Sequence, residues 1–267
     1  MSLVSSTAKI TSNTGFYDFP IEQSLRFDGV SSYLSRTPTT TGDRKVFTLS
    51  LWIKRGNLAA YGSAYEIFFS VGTGTYDFRY QFTSNDTLVI YSPNSSATAF
   101  GGIDNTNRVF RDTSAWYHIV ISLDKNSGNI FCYVNGESDL SLSPSYNNWT
   151  GDSNVNVQNI VHNIGRQTSG YYYFNGYLAN IQFIDGQALD PYFFGESKNG
   201  VWIPYNAFST AGSGTATASD GDTATDSYGT NGFHLTFEDG IETLSVNSSN
   251  VSAFRDKSHN TNHWKIN

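Results

Sequence analysis

The chain is short of several things, and each shortage closes off a class of protein. It holds one cysteine, Cys132, in 267 residues. An intramolecular disulfide needs two, so stability has to come from packing. Cys132 sits inside an apolar run, where a lone thiol behaves as a small hydrophobe. Charged residues make up only 15% of the chain, and their balance is acidic: 16 Lys and Arg against 23 Asp and Glu, a formal net charge of −7. Nucleic-acid binding needs clustered cations to neutralise phosphates, and the notable basic clusters are just Arg44-Lys45 and Lys54-Arg55. The same shortage argues against docking on an anionic membrane. No apolar run reaches the roughly 20 residues of a spanning helix. The first residues, Met-Ser-Leu-Val-Ser-Ser-Thr-Ala-Lys, lack the basic start and apolar core of a secretory signal, so synthesis in a cytoplasm is expected. Catalytic motifs are also missing. There is no Gly-x-Ser-x-Gly elbow and no phosphate-cradling glycine loop. The five histidines, His118, His162, His234, His259 and His263, are scattered. His259 and His263 are four apart, but no helical pattern there would turn them into a zinc pair. His118 follows an aromatic pair inside a strand pattern and reads as packed rather than catalytic.

Aromatic residues are abundant: 17 Tyr and 19 Phe, beside 24 Gly. Aromatic and β-branched side chains suit pleated, half-buried surfaces, and Gly, Asn, Ser and Thr supply turns. The clearest segment is Phe47-Thr-Leu-Ser-Leu-Trp-Ile-Lys54. Phe47, Leu49, Leu51 and Ile53 point one way; Thr48, Ser50, Trp52 and Lys54 point the other. A strand with one fully apolar face needs a second sheet to cover it. Trp52 makes the other face something other than simply wet. Further strands are expected at 24–27, 32–35, 66–71, 76–82, 87–91, 116–123, 129–134, 159–164, 171–174, 176–183 and 233–237. Asn135-Gly136 is a strong hairpin signal. Asp190 before Pro191 reads as the N-cap of one helical turn. Residues 92–107 and 137–154 read as loops, 209–231 as a low-complexity tract that is flexible or pinned from outside, and 240–267 as a polar tail closing on Trp264. The expected organisation is an N-terminal arm at 1–22, a sandwich at 23–196 and a C-terminal extension at 197–267. Its fold class is all-β, an antiparallel two-sheet jelly roll with extended N- and C-terminal arms. Phe16, Tyr17, Phe19 and Trp264 are the aromatic candidates for anchoring those arms to neighbours.

Four segments together resemble a laminin-G-like member of the concanavalin A-like lectin/glucanase superfamily. They are Leu25-Arg-Phe-Asp-Gly29 with Tyr33-Leu34; Phe47 to Lys54; Trp116-Tyr-His-Ile-Val-Ile-Ser122 with Ile130-Phe-Cys-Tyr-Val-Asn-Gly136; and Phe174-Asn-Gly-Tyr-Leu-Ala-Asn-Ile-Gln-Phe183 with Ala188-Leu189. A narrower resemblance, to laminin-G-like modules of tailed-phage structural proteins, lies in Tyr33-Leu-Ser-Arg-Thr-Pro38, Phe183-Ile-Asp-Gly-Gln-Ala-Leu-Asp-Pro191, Gly200-Val-Trp-Ile-Pro204 and Tyr228-Gly-Thr-Asn-Gly-Phe-His-Leu235. It implies a non-enzymatic bacteriophage virion protein: a tail-fibre, tail-associated or capsid-decorating component. Its partners would be other virion proteins and copies of itself. The alternative is a carbohydrate-binding lectin module on the virion surface that recognises a host glycan.

The superfamily's glucanases carry paired acids on one strand, because retaining hydrolysis needs two carboxyls about 5–5.5 Å apart. No such strand exists here. The nearest run, Glu238-Asp-Gly-Ile-Glu242, has a glycine turn between its acids, so no enzyme is expected. Calcium is the one cofactor considered. Its weak candidate ligands are Asp28, Asp185 and Asp190, all at turns, where Asp is common anyway. Related domains often have acids in the strand equivalent to Gly176–Phe183, where this chain has Ala179-Asn180. Asp220-Gly-Asp222 with Asp226 is also rich in oxygens. For carbohydrate, Tyr171, Tyr172 and Tyr173, with Tyr146 and Trp149 in a preceding loop, could offer stacking faces. Against this, tyrosines and tryptophans are also common in cores and subunit interfaces.

Overall fold

The computed structural model describes residues 19–58, 65–73, 77–93, 100–140, 152–246 and 249–267. Among these residues twenty strands follow one another: β1 (Leu25–Asp28), β2 (Leu34–Arg36), β3 (Val46–Arg55), β4 (Tyr65–Val71), β5 (Phe78–Thr83), β6 (Thr87–Pro93), β7 (Phe100–Val109), β8 (Tyr117–Asp124), β9 (Asn129–Val134), β10 (Glu137–Ser138), β11 (His162–Ile164), β12 (Asn175–Asp185), β13 (Gly195–Lys198), β14 (Val201–Pro204), β15 (Thr215–Thr217), β16 (Thr223–Thr225), β17 (Phe233–Leu235), β18 (Glu242–Val246), β19 (Ser249–Phe254) and β20 (Trp264–Ile266). The first sheet runs β1-β12-β3-β8-β9-β10, with β17 also on β12, and the second runs β18-β19-β20-β2-β11-β4-β5-β6-β7. Every pairing within the two sheets is antiparallel.

Alternation on β3 sets the layering. Phe47, Leu49, Leu51 and Ile53 are buried between the sheets with Ile119, Ile121 and Leu123 of β8 and Leu178, Ile181 and Phe183 of β12. The second sheet faces them with Phe69, Phe78, Tyr80 and Phe82. Aromatic stacking runs through the interior: Phe183 lies 5.6 Å from Phe47 and 6.1 Å from Phe69, centroid to centroid. Strand β12 carries two partners on one edge. Leu25 pairs with Leu178 in β1, and Leu235 pairs with Ile181 in β17. Between them the register shifts at a bulge, where Asn180 takes a positive φ of 45°. The Asn135-Gly136 turn joins β9 to β10 as expected, both residues at positive φ. Asp190 caps the 3-10 turn Pro191–Phe193 by accepting from the Tyr192 amide at 2.8 Å.

Several expectations need correction. Residues 92–107 contain most of β7, which their Gly- and Asn-rich composition hides. Tyr171 to Phe174 is no strand; only an isolated bridge joins Tyr173 to Ile67. The low-complexity tract folds into the β15–β16 hairpin and brings Ala216, Ala218 and Tyr228 onto a second core with Phe193, Phe194 and Phe208. That core packs on Val120 and Ile184, the outward residues of β8 and β12. The first sheet is therefore covered on both faces over part of its width. The expected C-terminal arm is no arm either. Strand β17 joins the first sheet and β18 to β20 join the second, where β20 pairs β2. Trp264 is fully buried, its ring 4.8 Å from Phe233, so it anchors the chain to its own core and presents nothing to a neighbour.

A candidate carbohydrate groove

The outer face of β3 changes character along its length. Thr48 and Ser50 are buried beneath the segment that follows β12. Thr48 Oγ1 donates to the Gln187 carbonyl at 2.8 Å and accepts from the Leu189 amide at 2.9 Å, which staples that segment down. Trp52, two residues on, is only half-covered. It belongs to a stack: the His118 ring lies 5.0 Å from Trp52 at an interplanar angle of 24°, and 5.9 Å from Trp202 at 23°. Trp202 Nε1 lies 2.9 Å from His118 Nδ1, and His118 Nε2 lies 2.9 Å from Ser50 Oγ. An indole N–H can only donate, so Nδ1 is the acceptor and the imidazole proton is on Nε2, donated to Ser50. Burial lowers the His118 pKa to about 3, which keeps the ring neutral and this tautomer in place. The stack therefore sets the position of Trp52 rigidly.

Past the edge of the covering segment lies a groove of about 390 Å³, bounded by residues 20–24, Trp52, Ala179, Trp116 and Pro204. This is the lower part of the usual size range for small-molecule sites. Trp116 is 37% exposed and its ring sits 6.4 Å from that of Tyr177, also exposed. Trp52 Nε1 is buried from solvent without a hydrogen-bond partner. Glu22, Gln23 and Ser24 contribute exposed polar groups. Two indoles, one unused N–H donor and a short polar rim can hold the apolar face of a ring and hydrogen-bond its edge. They cannot run a two-carboxylate hydrolysis, because Glu22 is the only carboxylate among the described lining residues.

The structure puts the expected site residues elsewhere. Tyr146, Trp149, Phe16 and Tyr17 lie outside the described residues. Tyr171 is 68% exposed, Tyr172 packs edge-on against Tyr65 at 5.5 Å, and Tyr173 packs edge-on against Tyr33 at 6.4 Å. Arg166 sits over Tyr33 and donates to Tyr173 Oη at 3.3 Å. These tyrosines form a cluster of their own that shares no residue with the groove. Phe19 is half-buried, in a small recess with Asn180 and Thr236.

The three candidate calcium ligands differ. Asp28 accepts from the amides of Val30, Ser31 and Ser32; the Ser31 and Ser32 amides above all hold it well below the usual carboxylate range. Asp185 accepts from the Asp43 and Asn231 amides and from Asn156 Nδ2, while burial pushes its pKa up. Both are turned toward N–H groups and act as structural ties. Asp190 is different: an oxygen of each of Asp190, Asp220 and Asp222 lies within 4.8 Å of the others. Burial first, opposed by the amide it caps and reinforced by the two neighbouring carboxylates, raises the Asp190 pKa. These three could hold part of a hard cation's oxygen shell. Asp226, which the sequence grouped with Asp220 and Asp222, instead binds the Ser209 amide and hydroxyl. Two of the three acids of 238–242 are used in ion pairs, Asp239 with Lys257 at 2.6 Å and Glu242 with Arg255 at 2.6 Å.

Sequence reasoning missed Trp116 and the 20–24 segment as site residues. The available signal was parity: Trp52 and Trp116 both occupy outward positions, where a large aromatic is unexpected unless something covers or uses it.

Comparison with known proteins places these observations. The Laminin_G_3 model, of the concanavalin A-like lectin/glucanases superfamily, matches residues 28–191, more than half the chain. No curated protein matches the sequence. Among solved structures, a Bacteroides ovatus protein assigned to carbohydrate binding is similar at TM-score 0.51 and 16% identity, over 91% of this chain and 59% of that one. A heptameric SAP-like pentraxin from Limulus polyphemus gives TM-score 0.46 and 17% identity, over 62% of this chain and 76% of that one. Domains LG4-5 of mouse laminin alpha1 give 0.42 and 13%, over 69% and 48%.

Proposed function

We propose, for a chain that belongs to the Laminin_G_3 family of the concanavalin A-like lectin/glucanases superfamily, that this domain is a non-catalytic carbohydrate-binding module. The observation that carries the reading is the groove beside Trp52 and Trp116, with the Trp52 N–H left without a partner. A pyranose has one face of C–H groups and a rim of hydroxyls. The exposed Trp116 ring suits the first, and the Trp52 N–H with Glu22, Gln23 and Ser24 suits the second. Trp116→Ala removes a half-exposed surface ring, so folding is preserved. It is expected to weaken glycan binding at least tenfold, a loss of about 1.4 kcal/mol, as read by titration calorimetry. Unchanged affinity would move the site elsewhere, with the exposed Tyr171 and Tyr172 next in line.

A second reading puts this module on a virion surface, as a tail-fibre, tail-associated or capsid-decorating part that contacts other virion proteins and copies of itself. It is favoured by the segments that resemble phage modules. Three of the four meet in the fold: Arg36 donates to the Asn231 carbonyl and Oδ1, and the Asn231 amide donates to Asp185. Under this reading the protein co-purifies with intact phage particles through a density gradient in a fixed copy number. Its absence from such particles overturns the virion placement and leaves the glycan reading standing.

A further inference from the structure

We infer that the groove selects neutral pyranosides and rejects sugars bearing carboxylate, sulfate or phosphate, with Glu22 as the residue that sets the choice. This rests on the glycan reading of the same groove and adds its ligand class.

The argument starts from charge. The described lining contains one ionisable side chain, Glu22, and it is an acid. Among the described residues no lysine or arginine lines the groove. An anionic sugar placed there would leave water, meet no cation and face a like charge, and that combination is unfavourable. The cations nearby in the fold are otherwise disposed. Arg26 donates to Asn175 Oδ1 at 2.8 Å and to the Gly176 carbonyl at 3.3 Å, and lies 5.1 Å from the Tyr177 ring centroid. Lys54 is on β3 two residues beyond Trp52, outside the groove lining. The chain's net charge of −7 adds a long-range field of the same sign.

Hydrogen-bond chemistry points the same way. The buried Trp52 N–H needs an acceptor. A carboxylate such as Glu22 is acceptor-only and needs donors. A sugar hydroxyl is both, so adjacent hydroxyls on a neutral ring can satisfy the two at once. A carboxylate or sulfate on the ligand could serve Trp52, but it offers Glu22 nothing.

The test is a glycan array carrying neutral, sialylated, uronic-acid and sulfated members, probed with the intact protein, then titration of the best neutral binder and its acidic counterpart with wild type and Glu22→Gln. Expected are neutral binders, acidic counterparts at least tenfold weaker, and a penalty on the acidic ones that shrinks as salt rises. Glu22→Gln is expected to weaken the neutral sugar and narrow the neutral-to-acidic ratio at least threefold. Glu22 is exposed, so the variant folds, and a purely structural role would not change that ratio or its salt dependence. Preferential binding of acidic glycans overturns this inference and leaves carbohydrate binding intact. An unchanged ratio in Glu22→Gln removes Glu22 as its cause. No binding to any member overturns the carbohydrate reading itself, and the selectivity with it.

Discussion

Arg55→Met is expected to lower the unfolding free energy by about 3–5 kcal/mol, the usual cost of leaving buried charge without its partner. Arg55 ends β3 and is completely buried. Its guanidinium reaches Glu66 Oε2 at 2.7 Å, Asp86 Oδ1 at 2.9 Å and the Phe110 carbonyl at 2.8 Å, and lies 4.7 Å from the Phe82 ring centroid. One side chain thus ties the first sheet to β4, to the turn between β5 and β6, and to the end of β7. Methionine fills the stem volume but leaves Glu66 without an ion-pair partner among the described residues and Asp86 with the exposed Arg111, at 3.0 Å. Burial already raises the Glu66 pKa even with Arg55 beside it; losing Arg55 raises it further. At roughly 2–4 °C per kcal/mol for a domain near this size, the melting temperature falls by roughly 6–20 °C. Arg111→Met removes a mostly exposed arginine while Asp86 keeps Arg55, and costs less than about 1 kcal/mol. Chemical denaturation of both variants checks the contrast; equal stabilities would show that the hub contributes nothing net.

The second large effect is with acid. His118, His162 and His234 are all buried, and burial above all lowers each pKa to about 3; Arg36 adds to this at His162 and Lys257 at His234. His162 shows why protonation is resisted: its Nε2 accepts the Asn156 amide at 3.1 Å and has no room for a proton of its own. In the unfolded chain each imidazole titrates near 6.5. Below that pH the unfolded state binds protons that the folded state refuses, so stability declines as pH falls from about 6.5 toward 3. With three such groups the slope approaches about 4 kcal/mol per pH unit near pH 5, and the accumulated loss at pH 5 is on the order of 6 kcal/mol. The raised carboxyls Glu66, Asp185 and Asp190 act oppositely, since the folded state holds protons the unfolded chain releases. They soften the decline. Calorimetry at pH 5 in buffers of different ionisation enthalpy should report an uptake of about three protons on unfolding. A melting temperature that is flat from pH 7 to 5 would rule the coupling out.

Much of the first sheet could be read from the sequence because its strands are long and alternate. Phe47 to Ile53 and Ile119 to Leu123 each present one unbroken apolar face. The second sheet was harder to read at its ends. At one end β7 lies in a Gly- and Asn-rich run that reads as loop, and toward the other β18 to β20 lie in a stretch whose composition reads as polar tail; β20, three residues long, is too short for a period of two to declare itself. The 209–231 tract was misread for a related reason: Ala216 and Ala218 pack in one core with Phe193 and Phe208, and that complementarity belongs to the pair of surfaces rather than to either alone. The groove was hidden because residues 20–24 carry no motif. They become a boundary only when the chain passes beside Trp52, which local pattern cannot foretell.

Strand β20 pairs directly with β2, Ile266 opposite Leu34, across more than two hundred intervening residues. On a ribosome adding 5–20 residues each second, β2 waits roughly 10–50 s for that partner. Until then one side of β2 is an open backbone edge, the kind that recruits other chains. The second sheet therefore closes late in synthesis, and a truncation before residue 264 would prolong exposure of that edge in the nascent protein. Yield from a host cell is thus predicted to depend on chaperone supply and growth temperature more steeply than the finished molecule's stability would imply.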